Sequence, residues 1–183
     1  MHVKAKHMAT AGLLVAFTVI LIYLGTVLET NTLFFLIAAA FCVGIAVREW
    51  GLKLGASFLI ASVFINFLLA PNKLYCITFA GMGAYIWASE CLWKKIADRE
   101  NLTHRTVILW IGKYLVFNLL YIPVLFLMPT LLFTKEIAKG MVIVLVFVGQ
   151  IALFVFEVAY EYFQERIWGK IRVRFLGEEK QWI

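Results

Sequence analysis

The sequence predicts an all-α, polytopic membrane protein with six transmembrane helices and both termini in the cytoplasm. Six long apolar stretches fill most of the 183 residues, and about 20 apolar residues in a helix cross the roughly 30 Å of bilayer hydrocarbon. The composition agrees, because the chain is 63% hydrophobic and 15% charged, against about 45–50% and about 25% in soluble domains. Basic residues collect in every second gap between the stretches.

The predicted spans follow one another with short connections, as one six-helix membrane domain. They cover residues 8–28, 33–47, 52–69, 74–92, 107–127 and 141–160, and residues 161–183 form a basic cytoplasmic tail. The first stretch starts like a signal peptide, but its apolar run is too long and no small-x-small cleavage site follows it, so we retain it as a helix. The second is short and must use Asn31 and Thr32, or Arg48 and Trp50, to reach membrane thickness.

Lysine and arginine set the predicted orientation. With the amino terminus inside, thirteen basic residues fall on the cytoplasmic side, three in outer loops and one, Lys113, within the fifth span. The inner set is Lys4, Lys6, Arg48, Lys53, Lys94, Lys95, Arg99, Arg105, Arg166, Lys170, Arg172, Arg174 and Lys180; the outer set is Lys73, Lys135 and Lys139. This is the positive-inside pattern. We therefore assign the net charge of +6 to orientation in the inner or plasma membrane and to anionic lipid, and not to a nucleic-acid partner.

The residue types that catalysis or metal binding needs are sparse. The three histidines have no helical pairing, and no two of the three cysteines have metal-ligand spacing. The chain has no glycine-rich phosphate loop, no serine elbow and no carboxylate pair with a histidine base. The sequence therefore predicts no catalytic residue, no metal site and no cofactor, and we expect that the protein is not an enzyme.

Ionised residues within the spans lie towards the inner side. At about 1.5 Å per residue, Glu90 lies at the inner end of span four, Lys113 about 9 Å from the inner end of span five, and Glu157 near the inner end of span six. A charge near the bilayer centre costs roughly 2.5–3.5 kcal/mol on insertion scales. We therefore expect a structural ion pair of Lys113 with Glu157 or with Glu90. The alternative is a coupling surface for a cytoplasmic or membrane partner.

Neutral polar residues lie nearer the midplane and the outer side. Asn66 falls in the outer half of span three, Asn118 and Gln150 near the midplane of spans five and six, and Tyr75 and Tyr121 towards outer ends. Buried amides in a bilayer normally form hydrogen bonds across helices. The alternative is an outward-facing pocket for a small, partly polar organic molecule, with these amides and phenols as hydrogen-bonding groups among aromatic walls.

Small residues mark one face of the first span. Ala5 and Ala9 are four residues apart, as are Gly12 and Ala16, so the members of each pair share a helix face. Missing side chains let another backbone approach closely. Packing inside the bundle and contact with a partner subunit both explain this face.

Residues 4–21, KAKHMATAGLLVAFTVIL, resemble the first helix of the substrate-binding S components of energy-coupling-factor vitamin transporters, which share this length and layout. The resemblance implies that Ala9, Gly12 and Ala16 dock on a membrane coupling subunit driven by cytoplasmic ATPases. It also implies that a small micronutrient binds from outside in the outer half, where Tyr75, Asn118, Tyr121 and Gln150 project.

The main alternative is a non-catalytic six-span scaffold of the cell envelope or of cell-shape assembly. It needs only helix faces and a cytoplasmic tail. Residues 160–180 mix Trp168 and Ile171 with Arg166 and Lys170, a pattern typical of a segment lying on the inner leaflet. A channel or secondary carrier ranks third, because such proteins usually show internal repeats or matching helix breaks.

Overall fold

A computed structural model of the protein describes residues 2–97, 104–127 and 139–176. Helix α1 (His2–Val27) leads through a 3₁₀ turn (Glu29–Asn31) into α2 (Thr32–Trp50), α3 (Leu52–Leu69) and α4 (Lys73–Ala97). Helices α5 (Arg105–Leu127) and α6 (Lys139–Tyr162) follow, and α6 continues through a π-helical segment (Phe163–Trp168) into α7 (Gly169–Leu176). Within these ranges the fold is all-helical, as predicted.

Five segments of these helices are long and apolar enough to cross a membrane: Met8–Val27, Thr32–Trp50, Leu52–Leu69, Arg105–Phe126 and Ile143–Arg172. The chain is therefore a multi-pass membrane protein. Helix α4 is also long, but its glycines, tyrosines and Glu90 lower its apolar character. It remains a prediction that α4 is the sixth span and that both termini lie in the cytoplasm.

Helix α2 forms the centre of the described bundle and packs against α1, α3 and α4. Its small residues Ala39, Ala40 and Ala46 are completely buried, which lets the neighbouring helices approach closely. Bulkier side chains such as Ile22 and Phe79 fill the space around them and are also completely buried. The short second span of the sequence gains residues at both ends, since α2 includes Thr32 as well as Arg48 and Trp50.

A glycine turn makes the sharp connection between α2 and α3. Gly51 has φ +86°, a left-handed conformation that side chains with a Cβ rarely adopt, and its N–H donates to the Val47 carbonyl at 2.8 Å. Helix α3 then starts at the next residue. Gly55, one turn on, lies so close to the Val47 backbone that a Cβ would come within 2.9 Å of its Cα. Glycine at both positions therefore allows the two helices to pack directly against each other.

The last helix continues well beyond residue 160, where the sequence places the end of the sixth span. Tyr160, Gln164, Trp168 and Arg172 all contact α2. Residues four apart drift by about 40° around an α-helix, and the wider turn of the π-helical segment compensates for that drift. The structure thus differs from the expectation of a leaflet-bound tail at Arg172, which is buried against α2.

Candidate functional site

Five charged side chains from four helices alternate in sign along one continuous chain. Their order is Glu90, Arg48, Glu161, Lys113 and Glu157, and we call them the charge chain. Arg48 Nε lies 2.6 Å from Glu90 Oε1 and its Nη2 lies 3.1 Å from Glu161 Oε2. Lys113 Nζ lies 3.8 Å from Glu161 Oε1 and forms a closer ion pair with Glu157. Each cation therefore bridges two carboxylates.

Two tyrosines complete the ends of the charge chain. Tyr160 Oη donates a hydrogen bond to Glu90 Oε1 at 2.6 Å, and Tyr85 Oη donates to Glu157 Oε1. Both phenols are buried. Hydrogen bonds to a charged acceptor are stronger than neutral ones, so the two phenols help to hold the terminal carboxylates in place.

The helix ends explain why these residues meet. Arg48 lies in the last turn of α2, Glu90 two turns before the end of α4, and Lys113 two turns after the start of α5. Glu157 and Glu161 are one turn apart on α6. Antiparallel neighbours bring these positions to one end of the bundle, which we call the charged end.

The sequence-based ion pair is thus one part of a larger arrangement. The structure places Lys113 against Glu157, whereas the partner of Glu90 is Arg48 and not Lys113. From the sequence, Arg48 counted among the basic residues of the inner side, and Glu161, Tyr85 and Tyr160 had no predicted role. A signal for Arg48 was present, because the short second span needed it to reach membrane thickness.

A groove of about 630 Å³ opens beside the charge chain, between the end of α4, the start of α5 and α6. We call it the α4–α6 groove. Its lining combines charged side chains (Lys113, Glu157, Glu161 and Arg105) with aromatic and apolar ones, including Trp93 and Trp110. Its volume falls within the roughly 300–1,000 Å³ of small-molecule pockets. Sequence reasoning did not find it, because residues from three helices form it.

A second buried ion pair holds α7 against α2. Arg172 Nε lies 2.6 Å from Glu49 Oε1, and Trp168 Nε1 donates to the same oxygen at 3.0 Å. Gln164 Nε2 donates to the Phe41 carbonyl at 3.3 Å. These contacts fix the last helix along the second half of α2. Among the described residues, no group of three His, Cys, Asp or Glu side chains could hold a metal ion.

Three of the five residues predicted to bind substrate meet between α5 and α6. Gln150 Nε2 donates to Asn118 Oδ1 at 2.9 Å, and Asn118 Nδ2 donates to Gln150 Oε1 at 3.2 Å. Asn118 Nδ2 also donates to the Tyr114 carbonyl, and Tyr121 Oη donates to the Leu145 carbonyl at 3.0 Å. The two amides therefore form a reciprocal pair, which is the interhelical hydrogen bonding that one of the two interpretations predicted.

The other two residues lie on other helices. Asn66 on α3 is buried and donates to the Ser62 carbonyl of its own helix at 2.8 Å. Tyr75, near the start of α4, is partly buried against the core. None of the five residues lines the α4–α6 groove. The structure thus brings three of the five residues together between α5 and α6, and a shared binding role for all five stays a prediction.

A double-mutant cycle tests the amide pair. We expect Asn118→Leu and Gln150→Leu each to destabilise the protein by about 1 kcal/mol, the order measured for interhelical hydrogen bonds in membranes. Because each single change leaves the other amide unpaired, the double variant should lose less than the sum of the two. Unfolding of all four proteins in detergent gives the coupling energy. Strict additivity would contradict a reciprocal pair.

The small face of α1 points away from the bundle. Ala9, Gly12 and Ala16 are all exposed, and no atom of the described residues lies within 4 Å of where a Gly12 Cβ would stand. The opposite side of α1 packs inwards through Thr18 and Ile22, which are completely buried. Packing among the described helices therefore does not explain the small residues, and contact with a partner stays a prediction.

No protein-family model, no curated protein and no solved structure matches this chain.

Proposed function

We propose that this chain is the membrane-embedded, substrate-binding subunit of an energy-coupling-factor type transporter. In this role it captures a small organic micronutrient from outside and relies on a separate coupling subunit and cytoplasmic ATPases. The observation that carries the proposal is the exposed small face of α1, made of Ala9, Gly12 and Ala16. Helices in lipid associate through such faces, because small residues let two backbones approach closely.

The proposal includes six spans with both termini in the cytoplasm. Helix α4 is the sixth span, and Glu90, its one acidic residue, is neutralised by Arg48. Lys94 and Lys95 in its last turn then lie at the inner interface. The charged end of the bundle faces the cytoplasm, and the amide pair lies nearer the outer side.

The substrate site is proposed in the outer half, at Asn118, Gln150 and Tyr121, with Asn66 and Tyr75 on neighbouring helices. The amides bond to each other in this structure, so a ligand with amide-like or carbonyl groups binds by exchanging its own hydrogen bonds for theirs. Burying a polar ligand group without that exchange would cost roughly 1–3 kcal/mol for each unpaired atom.

Copurification tests the α1 interface. We expect the full chain, extracted from its native membrane in mild detergent, to bring along an integral membrane subunit and ATPases. Gly12→Leu or Ala16→Leu should abolish this association without lowering thermal stability, because both positions are exposed and a new Gly12 side chain meets open space.

Gly81→Leu is the matched control for this experiment. Gly81 on α4 is also exposed, with nothing within 4 Å of its Cβ position, so the same substitution adds the same bulk on another helix. Association lost equally in Gly81→Leu and Gly12→Leu would contradict a specific α1 interface. Recovery of the chain without any ATPase would contradict the transporter itself.

A six-span scaffold is the second candidate, and the reciprocal amide pair favours it, since amides that satisfy each other need no ligand. A thermal-shift screen of vitamins, amino acids and nucleobases separates the two candidates. Stabilisation by one compound that disappears in Asn118→Leu or Gln150→Leu supports the transporter subunit. Stable assembly with envelope-synthesis proteins and no stabilising compound supports the scaffold.

A further inference from the structure

The charge chain has an odd number of members. Glu90, Glu157 and Glu161 supply three negative charges, and Arg48 and Lys113 supply two positive ones, so these five groups together carry one uncompensated negative charge when all are ionised. In surroundings of low dielectric constant such an excess favours binding of a cation.

The excess charge is accessible at Glu161. Its side chain is 42% exposed, whereas those of Glu90 and Glu157 are 8% and 3% exposed. Glu161 also shares its two cations, because Arg48 and Lys113 each contact a more buried carboxylate as well. The Glu161 carboxylate is therefore the member of the charge chain that has room for a further cationic partner.

The α4–α6 groove leads to this carboxylate and has the size of an organic molecule. At about 630 Å³ it is far larger than a bare ion needs, and one of its walls is apolar. Trp110 already stacks on Phe154 with ring centroids 5.6 Å apart, and Lys113 Nζ lies 5.7 Å from its centroid. The Trp93 indole is 47% exposed on the groove wall. Indole faces attract cations, and alkylammonium groups in particular.

We propose that the α4–α6 groove binds a water-soluble organic monocation, an alkylammonium compound, with Glu161 as its counter-ion and Trp93 as its aromatic wall. The other cations of the groove do not oppose this binding strongly. Lys113 is paired with Glu157, and Arg105, which also lines the groove, is exposed, so water and salt screen its charge. The proposal is independent of the transporter function, since this groove lies at the charged end of the bundle and the amide pair does not line it.

Choline and its uncharged carbon isostere, 3,3-dimethylbutanol, are the probes that separate charge from shape. We expect choline to raise the thermal unfolding midpoint of the detergent-solubilised full chain and to change its tryptophan fluorescence saturably at constant ionic strength. The isostere should do neither, because it fits the apolar wall but cannot pair with Glu161. Equal effects of the two compounds, or no effect of either, would overturn the proposal.

Two variants and one control locate the site. Glu161→Gln removes the excess charge and should weaken choline binding about tenfold or more, a loss of about 1.4 kcal/mol or more. Trp93→Leu leaves every ion pair intact and should also weaken it, which keeps the test valid if Glu161→Gln proves unstable. Glu165→Gln is the matched control, because Glu165 is exposed one turn further along the same helix and does not line the groove. Unchanged choline affinity in Trp93→Leu, or an equal loss in Glu165→Gln, would refute this site.

Discussion

Replacing Arg48 by methionine is expected to lower the free energy of unfolding by about 3–5 kcal/mol, the cost of removing one partner from a buried ion pair. Arg48 contacts both Glu90 and Glu161, and its own side chain is only 14% exposed. Without it, the carboxylate of Glu90 stays buried, and the Tyr160 phenol is its one remaining side-chain donor among the described residues. Chemical unfolding in detergent, followed by tryptophan fluorescence, measures the loss.

Two further proteins make this result specific. Lys53→Met removes an exposed cation near the start of α3, and its stability should change by no more than about 0.5 kcal/mol. Adding Glu90→Gln to Arg48→Met removes the stranded charge and keeps an acceptor for Tyr160, so it should recover a large part of the loss. A double variant as unstable as the sum of its two single changes would show that Arg48 and Glu90 do not act as a pair.

Gly44→Ala is expected to destabilise the protein by about 3 kcal/mol, through overpacking and a lost hydrogen bond to a charged acceptor. A Cβ at Gly44 would lie 2.5 Å from Tyr160 Cε2 and 2.7 Å from Gln164 Nε2, both closer than van der Waals contact. Tyr160 is 2% exposed and packs against Phe41 with ring centroids 5.4 Å apart, so it cannot move aside without losing its bond to Glu90.

The control for Gly44→Ala is the same substitution at Gly81. No atom of the described residues lies within 4 Å of the Cβ position there, so Gly81→Ala should leave stability unchanged or raise it slightly, since alanine is the better helix former. Both variants can be compared by unfolding under identical conditions. Similar stability of the two would mean that Tyr160 does not depend on the missing side chain of Gly44.

Much of the fold was predictable, because hydrophobic length and composition depend on neighbouring residues in the sequence. The all-helical, multi-pass class follows from them directly. The charge chain was only partly predictable: the depth of Lys113 and Glu157 pointed to a partner for each. The choice of Arg48 for Glu90 depends on which helices are neighbours, and no residue spacing in the sequence encodes that.

The hydrogen bonding between Asn118 and Gln150 could not be predicted from their depth in the membrane. Asn118 and Gln150 have the same depth whether they bind a ligand or each other, so their positions could not distinguish a pocket from a hydrogen-bonded pair. Likewise, the small residues of α1 looked the same for internal packing and for an exposed face. For the amide pair and for the small face of α1, the role of the residues depends on which side of the helix faces its neighbours, and the sequence does not give that.

The acidic partners of Arg48 are synthesised well after Arg48 itself. Arg48 lies 42 residues before Glu90 and 113 residues before Glu161, so ribosomes working at about 5–20 residues per second deliver these carboxylates roughly 2–8 and 6–23 seconds later. Helix α2 thus enters the bilayer with an arginine that has no acidic partner yet. Its long side chain can keep the guanidinium in the headgroup region by snorkelling. We expect the ion pair with Glu161 to form only after the final helix has been inserted.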